Sequence, residues 1–183
     1  GFGPGGGDPH YVPSSTRSKT LEKGDAILMD LWGKVPGDNP FADITWMAHL
    51  GTPNDAFTRA FDRVTASRDA GVSFLRSRLE AGAAVQGFEV DQVVRQVLID
   101  AGYEKYLLHR TGHSLGWTAV HGDVAHFDGS ETLDERRVLP RLGFTIEPGV
   151  YLPEFGVRSE INVYSLERSL EITTALQTEL DVI

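Results

Sequence analysis

GFTIEPGVY (residues 143–151) and GVRSEINVY (residues 156–164) decide the fold, because each combines the alternation of a β-strand with an acidic residue inside it. Glu147 follows Phe-Thr-Ile, and Glu160 directly precedes Ile161. A carboxylate at a buried strand position is costly unless it is paired or binds a metal ion. The carboxyl half of the chain is therefore predicted to be mainly antiparallel sheet, with two acids in unusual positions.

The amino half repeats this pattern in a predicted β-hairpin. AILMDLW (residues 26–32) is a short apolar run that contains Asp30. Residues 33–40 are rich in turn formers, so residues 41–47 are predicted to return as the second strand, which carries Asp43. Each of these acids alone also has an ordinary explanation, such as a strand-end cap, a salt bridge or a solvent-facing position.

Two amphipathic helices are predicted between the hairpin and the carboxyl half. Asn54 or Asp55 is a suitable N-cap for apolar residues that recur at helical spacing over residues 57–79. A shorter helix over residues 90–98 is predicted to end at Gly102 in a left-handed conformation. Strands and helices in this order indicate an α+β fold, and we expect one domain over residues 1–183, with a flexible glycine-rich start at residues 1–9.

Composition restricts the function. The chain has no cysteine, so a metal site must use His, Asp and Glu. A formal net charge of −9, with 17 basic residues that form no dense run, argues against nucleic acid as a partner. The apolar runs are far shorter than the roughly 18 to 20 residues of a membrane span, so we expect no membrane partner and a cytoplasmic location.

His113 adds an imidazole to the four carboxylates. Two divalent cations would balance the charge of four carboxylates and one neutral histidine. Oxygen ligands with a single imidazole suit manganese, iron, cobalt or zinc, and hydrolases use pairs of such ions about 3.5 to 4 Å apart. The sequence thus predicts a dinuclear metal site.

These residues resemble a known family, the pita-bread metallopeptidases, which includes methionine aminopeptidase, Xaa-Pro aminopeptidase, prolidase and creatinase. The resemblance covers residues 3–176 and rests on Asp30, Asp43, Thr-Gly-His113, Thr-Ile-Glu147-Pro-Gly and Val-Arg-Ser-Glu160. HRTGHSLG (residues 109–116) and GVRSE (residues 156–160) look more like the proline-specific branch. The resemblance implies a curved antiparallel sheet with helices on its outer face, and removal of an N-terminal residue from a peptide, preferably at an Xaa-Pro bond.

The resemblance also implies roles for individual residues. Two divalent metal ions, with manganese favoured and cobalt, zinc or iron as alternatives, would be held by Asp30, Asp43, His113, Glu147 and Glu160. The residues expected to be catalytic are Glu147 as the proton acceptor, His121 at the oxyanion and His10 at the substrate amide. The expected substrate-binding residues are His10, His109, His121 and Arg158, with ordinary hydrogen bonding or a structural ion pair as the alternative.

The sequence departs from the family pattern at its start. It lacks the helical segment that normally precedes Pro9-His10-Tyr11, so we expect a truncated N-terminal part and a homo-oligomer, most simply a dimer, that covers the exposed core. Two other functions remain open from sequence: a creatinase-like hydrolase of a non-peptide C–N bond, and an inactive binding module on the same fold. Dipeptidase and aminopeptidase activity are not separated.

Overall fold

The computed structural model describes residues 7–16 and 18–183. Most of the expected flexible start, residues 1–9, lies outside the described residues. Described in chain order, the strands are β1 (Ala26–Gly33), β2 (Ala42–His49), β3 (Leu142–Ile146), β4 (Gly149–Tyr151), β5 (Gly156–Arg158), β6 (Ile161–Ser165), β7 (Leu170–Ile172) and β8 (Asp181–Val182). The helices are α1 (Asp55–Glu80), α2 (Gly87–Asp100) and a 3-10 turn at Glu104–Tyr106.

β1 and β2 form the predicted antiparallel hairpin. Asp30 lies opposite Thr45, and Trp32 lies opposite Asp43. Directly opposed residues project from the same face of a sheet, and so do residues two apart along a strand. Asp30, Thr45 and Asp43 therefore share one face of the hairpin. The short β8 was not predicted, and it pairs with β2 in parallel.

The two acidic stretches of the carboxyl half each form two short strands instead of one long strand. The first is interrupted at Glu147-Pro148, and the second at Ser159-Glu160. Pro148 has no N–H to donate to a sheet ladder, which explains the first interruption. The antiparallel register of β3 and β6 pairs Ile146 with Ile161, so the two acids that follow and precede these residues emerge side by side.

Both predicted helices are present. The Asn54 side chain caps α1 by accepting a hydrogen bond from the Phe57 N–H at 2.9 Å, and α2 ends before Gly102, whose φ is +85°. Gly71 allows the helices to pack closely, because a Cβ at this position would lie 2.6 Å from Val94 Cγ2. The helices and the β3–β6–β7 sheet enclose the largest apolar core. The expected α+β architecture is confirmed, and the single domain stays a prediction.

None of the described helices combines the length and apolar character that crossing a membrane requires.

Candidate metal centre

Asp43, His113 and Glu160 meet in the interior. Each offers a ligand atom, and these atoms lie within 4.8 Å of one another. All three side chains are buried, and they come from β2, from the loop before β3 and from the break before β6. Because they are separated by up to 117 positions in the chain, only the tertiary fold brings them together.

The His113 loop runs alongside β3. The Thr145 N–H donates to the His113 carbonyl at 2.8 Å, and the His113 N–H donates to Thr145 Oγ1 at 2.9 Å. Gly112 is required for this approach, because a Cβ at this position would lie 2.2 Å from the Thr145 carbonyl oxygen. The loop is therefore fixed on both sides of its histidine.

The orientation of the His113 ring suits a metal ligand. Nδ1 lies 2.9 Å from the Ser114 carbonyl oxygen, which can only accept, so Nδ1 carries a proton. Nε2 faces the acids, at 3.5 Å from Asp43 Oδ2 and 3.5 Å from Glu147 Oε1. A carbonyl partner at one ring nitrogen that leaves the other free is the usual arrangement of a ligating histidine.

Two carboxylate oxygens in the centre are buried without a partner. Glu160 Oε2 accepts from Thr45 Oγ1 at 2.8 Å, but Glu160 Oε1 and Asp43 Oδ1 have no hydrogen-bond partner among the described residues. Such oxygens are rare, because leaving one unsatisfied costs about 1 to 3 kcal/mol. A bound cation would satisfy both, so these residues fit a metal ion.

The electrostatics of the cluster also fit cations. Burial raises the pKa of Glu147, and burial together with the Glu147 and Asp43 carboxylates raises the pKa of Glu160. Burial opposes protonation of His113, but the Asp43 and Glu147 carboxylates overcome it and raise the pKa of the imidazole. Without metal, these residues therefore tend to keep their protons, which reduce the negative charge of the cluster. Bound divalent cations would neutralise the same carboxylate charge.

Asp30 lies beside this group and pairs with Arg158. The buried Arg158 guanidinium also donates from Nε to Thr45 Oγ1 at 3.1 Å and from Nη1 to the Tyr151 hydroxyl at 3.4 Å. Burial raises the pKa of Asp30, Arg158 opposes this effect, and the nearby Asp43 carboxylate adds to it. Asp30 thus flanks the centre and is not a member of the three-residue group.

The other histidines expected at the site, His10, His109 and His121, lie at different depths. The exposed His121 ring has its centroid 4.1 Å from that of His113, and partial burial and His113 lower its pKa. His109 Nε2 lies 2.6 Å from the Tyr151 hydroxyl, and burial, reinforced by Arg158, lowers its pKa to about 3. His10 is exposed, and its backbone N–H donates to Asp8 Oδ1 at 3.0 Å. The structure therefore brings His121 to the centre and places His109 on its flank.

Three supporting residues were missed from sequence. Thr45 holds Glu160, Asn162 accepts the Asp43 N–H at 3.0 Å, and Thr145 donates to Glu147 Oε1 at 3.1 Å. Each lies two positions from an acid of the cluster, so the two-residue period of a strand was the signal that could have found them.

Comparison with known proteins agrees with this geometry. A family model for metallopeptidase family M24 matches residues 1–167. The chain is 30% identical to the probable dipeptidase PepE of Mycobacterium tuberculosis, over 87% of this chain and 39% of that protein. It is 32% identical to the putative dipeptidase YkvY of Bacillus subtilis, over 89% of this chain and 41% of that protein, and 28% identical to an Xaa-Pro dipeptidase of Pyrococcus furiosus, over 94% and 45%.

Solved structures show the same fold. The dipeptidase of Pyrococcus horikoshii superposes with a TM-score of 0.84 at 28% identity, covering 99% of this chain and 47% of that one. The prolidase of Thermococcus sibiricus superposes with a TM-score of 0.83 at 28% identity, covering 99% and 45%. The chain therefore belongs to metallopeptidase family M24 and has its pita-bread fold, which confirms the resemblance seen in the sequence. It spans less than half the length of these relatives.

Proposed function

We propose that this chain is the catalytic domain of a dinuclear metal-dependent exopeptidase that removes an N-terminal residue from peptides at Xaa-Pro bonds. The observation that carries the proposal is the buried group of Asp43, His113 and Glu160, with two carboxylate oxygens that lack a hydrogen-bond partner in the part of the chain that the structure describes. Relatives named dipeptidase and Xaa-Pro dipeptidase support the substrate class.

The proposed ligands are the five residues expected from sequence: Asp30, Asp43, His113, Glu147 and Glu160. Glu147 Oε1 lies close to the His113 ring, and Asp30 projects from the same hairpin face as Asp43. We propose manganese as the metal, with cobalt, zinc or iron as the alternatives, since oxygen donors with one imidazole suit all four. When bound, two such ions would supply polarisation of the scissile carbonyl and activation of the attacking water.

The side chains around the centre suit proton transfer and charge stabilisation. Glu147 is oriented by Thr145 and is our proposed proton acceptor. The lowered pKa of His121, due to partial burial and His113, keeps its imidazole neutral at pH 7, with one N–H to donate to the developing oxyanion.

The other proposed contacts lie further from the centre. We propose that His10 and His109 contact the substrate from the flank, where His109 is already oriented by Tyr151. The Arg158 guanidinium is occupied by Asp30, Tyr151 and Thr45, so its contacts favour a structural ion pair, here with the proposed ligand Asp30, over contact with the substrate. We propose a peptide as the substrate, and neither nucleic acid nor a membrane as a partner.

We also propose that the protein is a homodimer located in the cytoplasm. Met29 and Leu31 lie on the face of β1 opposite Asp30 and are largely exposed. β1 is at the edge of its sheet, where an apolar strand favours pairing with a second copy. Cell fractionation tests the location.

The activity is tested with protein stripped of metal by a chelator. We expect no hydrolysis of Ala-Pro without metal, hydrolysis when manganese(II) is added back, and slower hydrolysis of Ala-Ala. The Asp43→Asn variant should remain inactive with metal, whereas Asp62→Asn, an exposed acid on α1, should match the wild type. Metal-loaded wild-type protein that cleaves neither dipeptide would contradict the proposal.

A further inference from the structure

Arg110 is an uncommitted cation beside the acidic centre. Five of the other arginines in the described residues pair with carboxylates: Arg68 with Asp69, Arg78 with Glu89, Arg95 with Asp91, Arg136 with Asp134 and Arg158 with Asp30. The Arg110 guanidinium makes no ion pair with any described residue. The residue is half-buried but its guanidinium is exposed, and without an ion-pair partner among the described residues it is available for an anionic ligand.

The backbone of Arg110 is held firmly. Its N–H donates to Glu131 Oε1 at 3.0 Å, and its carbonyl oxygen lies 2.7 Å from His109 Nδ1. Glu131 therefore fixes the main chain of Arg110 and leaves its side chain unneutralised. Such anchoring places the long side chain in a limited region, which reduces the entropy lost when it binds a ligand.

The guanidinium points toward the centre. Arg110 Nη2 lies 3.4 Å from His121 Nδ1, and the His121 ring lies against the His113 ring, with 4.1 Å between centroids. Arg110 is thus separated from the candidate metal ligands by one histidine. A peptide group bound at the centre would have the next residue of the substrate within reach of this guanidinium.

The charged groups around the centre are unevenly distributed. Four carboxylates collect at one end, namely Asp30, Asp43, Glu147 and Glu160, and the free guanidinium lies beside His121. Bound divalent ions would balance these carboxylates, so the charge left for a dipeptide to meet is that of the Arg110 guanidinium, and a dipeptide carries its carboxylate one residue beyond the scissile bond. An arginine binds such a carboxylate through two parallel N–H donors.

We propose that Arg110 binds the C-terminal carboxylate of a dipeptide substrate and makes the site a dipeptidase. This inference rests on the proposed function and extends it, because it specifies substrate length. A longer peptide has a neutral amide at the same place and gains no charge-assisted hydrogen bond from Arg110. The residue is therefore a determinant of specificity for a free carboxylate.

The test compares Ala-Pro with Ala-Pro-amide, which share the scissile bond and differ only in the terminal charge. Steady-state kinetics with manganese-loaded protein would be measured for the wild type, Arg110→Gln, Arg110→Lys and the control Arg59→Gln, which changes an exposed arginine on α1. The Arg110→Gln variant should raise the KM for Ala-Pro by about tenfold to a hundredfold and leave the KM for the amide nearly unchanged.

The remaining results separate the two proposals. Arg110→Lys should recover part of the affinity for Ala-Pro, and Arg59→Gln should behave like the wild type. Equal losses on both substrates would show that Arg110 acts through His121 or through folding, and would overturn the inference while leaving the peptidase activity intact. A wild type that cleaves neither substrate would overturn the proposed function and this inference with it.

Discussion

Two individual carboxylate oxygen atoms distinguish the candidate metal centre from the rest of the interior. Asp43 Oδ1 and Glu160 Oε1 are buried and have no partner in the described part of the chain, although neighbouring atoms of the same residues are well satisfied. Thr45 thus orients the Glu160 carboxylate and Asn162 holds the main chain of Asp43, and neither neutralises an acid. In an ordinary buried hydrogen-bond network every polar atom has a partner, whereas here one oxygen of each acid is left for a metal ion.

The Glu160→Gln variant should separate stability from metal binding. Removing the charge relieves repulsion with Glu147 and Asp43, so the metal-free variant should unfold at a temperature no lower than the wild type. The increase in Tm caused by manganese(II) should fall to less than half of its wild-type size. Glu171→Gln, an exposed acid on β7, is the matched control, and an undiminished manganese effect in Glu160→Gln would contradict the assignment.

Stabilisation by metal should depend on pH. Burial is the main cause of the raised pKa values of Glu147 and Glu160. The protonated forms of these two residues therefore stabilise the metal-free protein at low pH. This stabilisation is lost as the pH rises through the raised pKa values. Metal competes with these protons. The manganese-induced increase in Tm should therefore grow from pH 5.5 to pH 7.5, measured as a difference at each pH so that titration of other groups cancels.

A manganese effect of equal size across that range would mean that these carboxyl groups do not exchange protons for metal.

At the element scale, the sequence predicted the hairpin and both helices because their signals are local. The turn formers of residues 33–40 and the Asn54 cap act within a few positions. The breaks at Glu147-Pro148 and Ser159-Glu160 were not predicted, because the alternation of side chains continues through them. The acids at these breaks lie between strands and face the His113 loop, which packs against β3. This arrangement depends on the tertiary fold, so the local sequence does not predict it.

The candidate site, like the fold, combines features with a local sequence signal and features that depend on the tertiary structure. Residue types and motif order predicted which side chains to consider, because the acids are anomalous in apolar strands. Pairings such as Arg158 with Asp30, separated by 128 positions, depend on the tertiary fold and leave no local signal. The position of Arg110 relative to His121 belongs to this second class.

The Gly112→Ala variant should disrupt the packing of the His113 loop against β3. The added methyl group would overlap the Thr145 carbonyl, so we expect a loss of stability of about 1 to 3 kcal/mol, or more, together with weaker metal binding. Chemical denaturation with and without manganese(II) measures both effects. Gly33→Ala is the control, because a Cβ there meets no atom within 4 Å. Equal stability of the two variants would show that the loop is not held tightly.

At the scale of the whole molecule, the chain contains a centre with a complete proposed ligand set but spans less than half the length of its relatives. The face of β1 that carries Met29 and Leu31 is apolar and exposed, while the opposite face carries Asp30. Contact with a second copy would bury this apolar surface, and each buried Å² of it contributes about 25 cal/mol.

The Leu31→Glu variant should therefore weaken self-association. We expect the wild type to have the mass of a dimer in light scattering after gel filtration, and the variant to have the mass of one chain, because a buried glutamate at the interface would be desolvated. Leu176→Glu, a partly exposed leucine outside the described strands, is the control. A monomeric wild type would contradict the dimer.

Calorimetric titration of chelator-stripped protein with manganese(II) shows whether the acidic cluster binds two metal ions. We expect two ions bound per chain in the wild type, and loss of both high-affinity sites in the Asp43→Asn variant. No binding to folded wild-type protein, or binding that is unchanged by Asp43→Asn, would contradict the proposed metal centre.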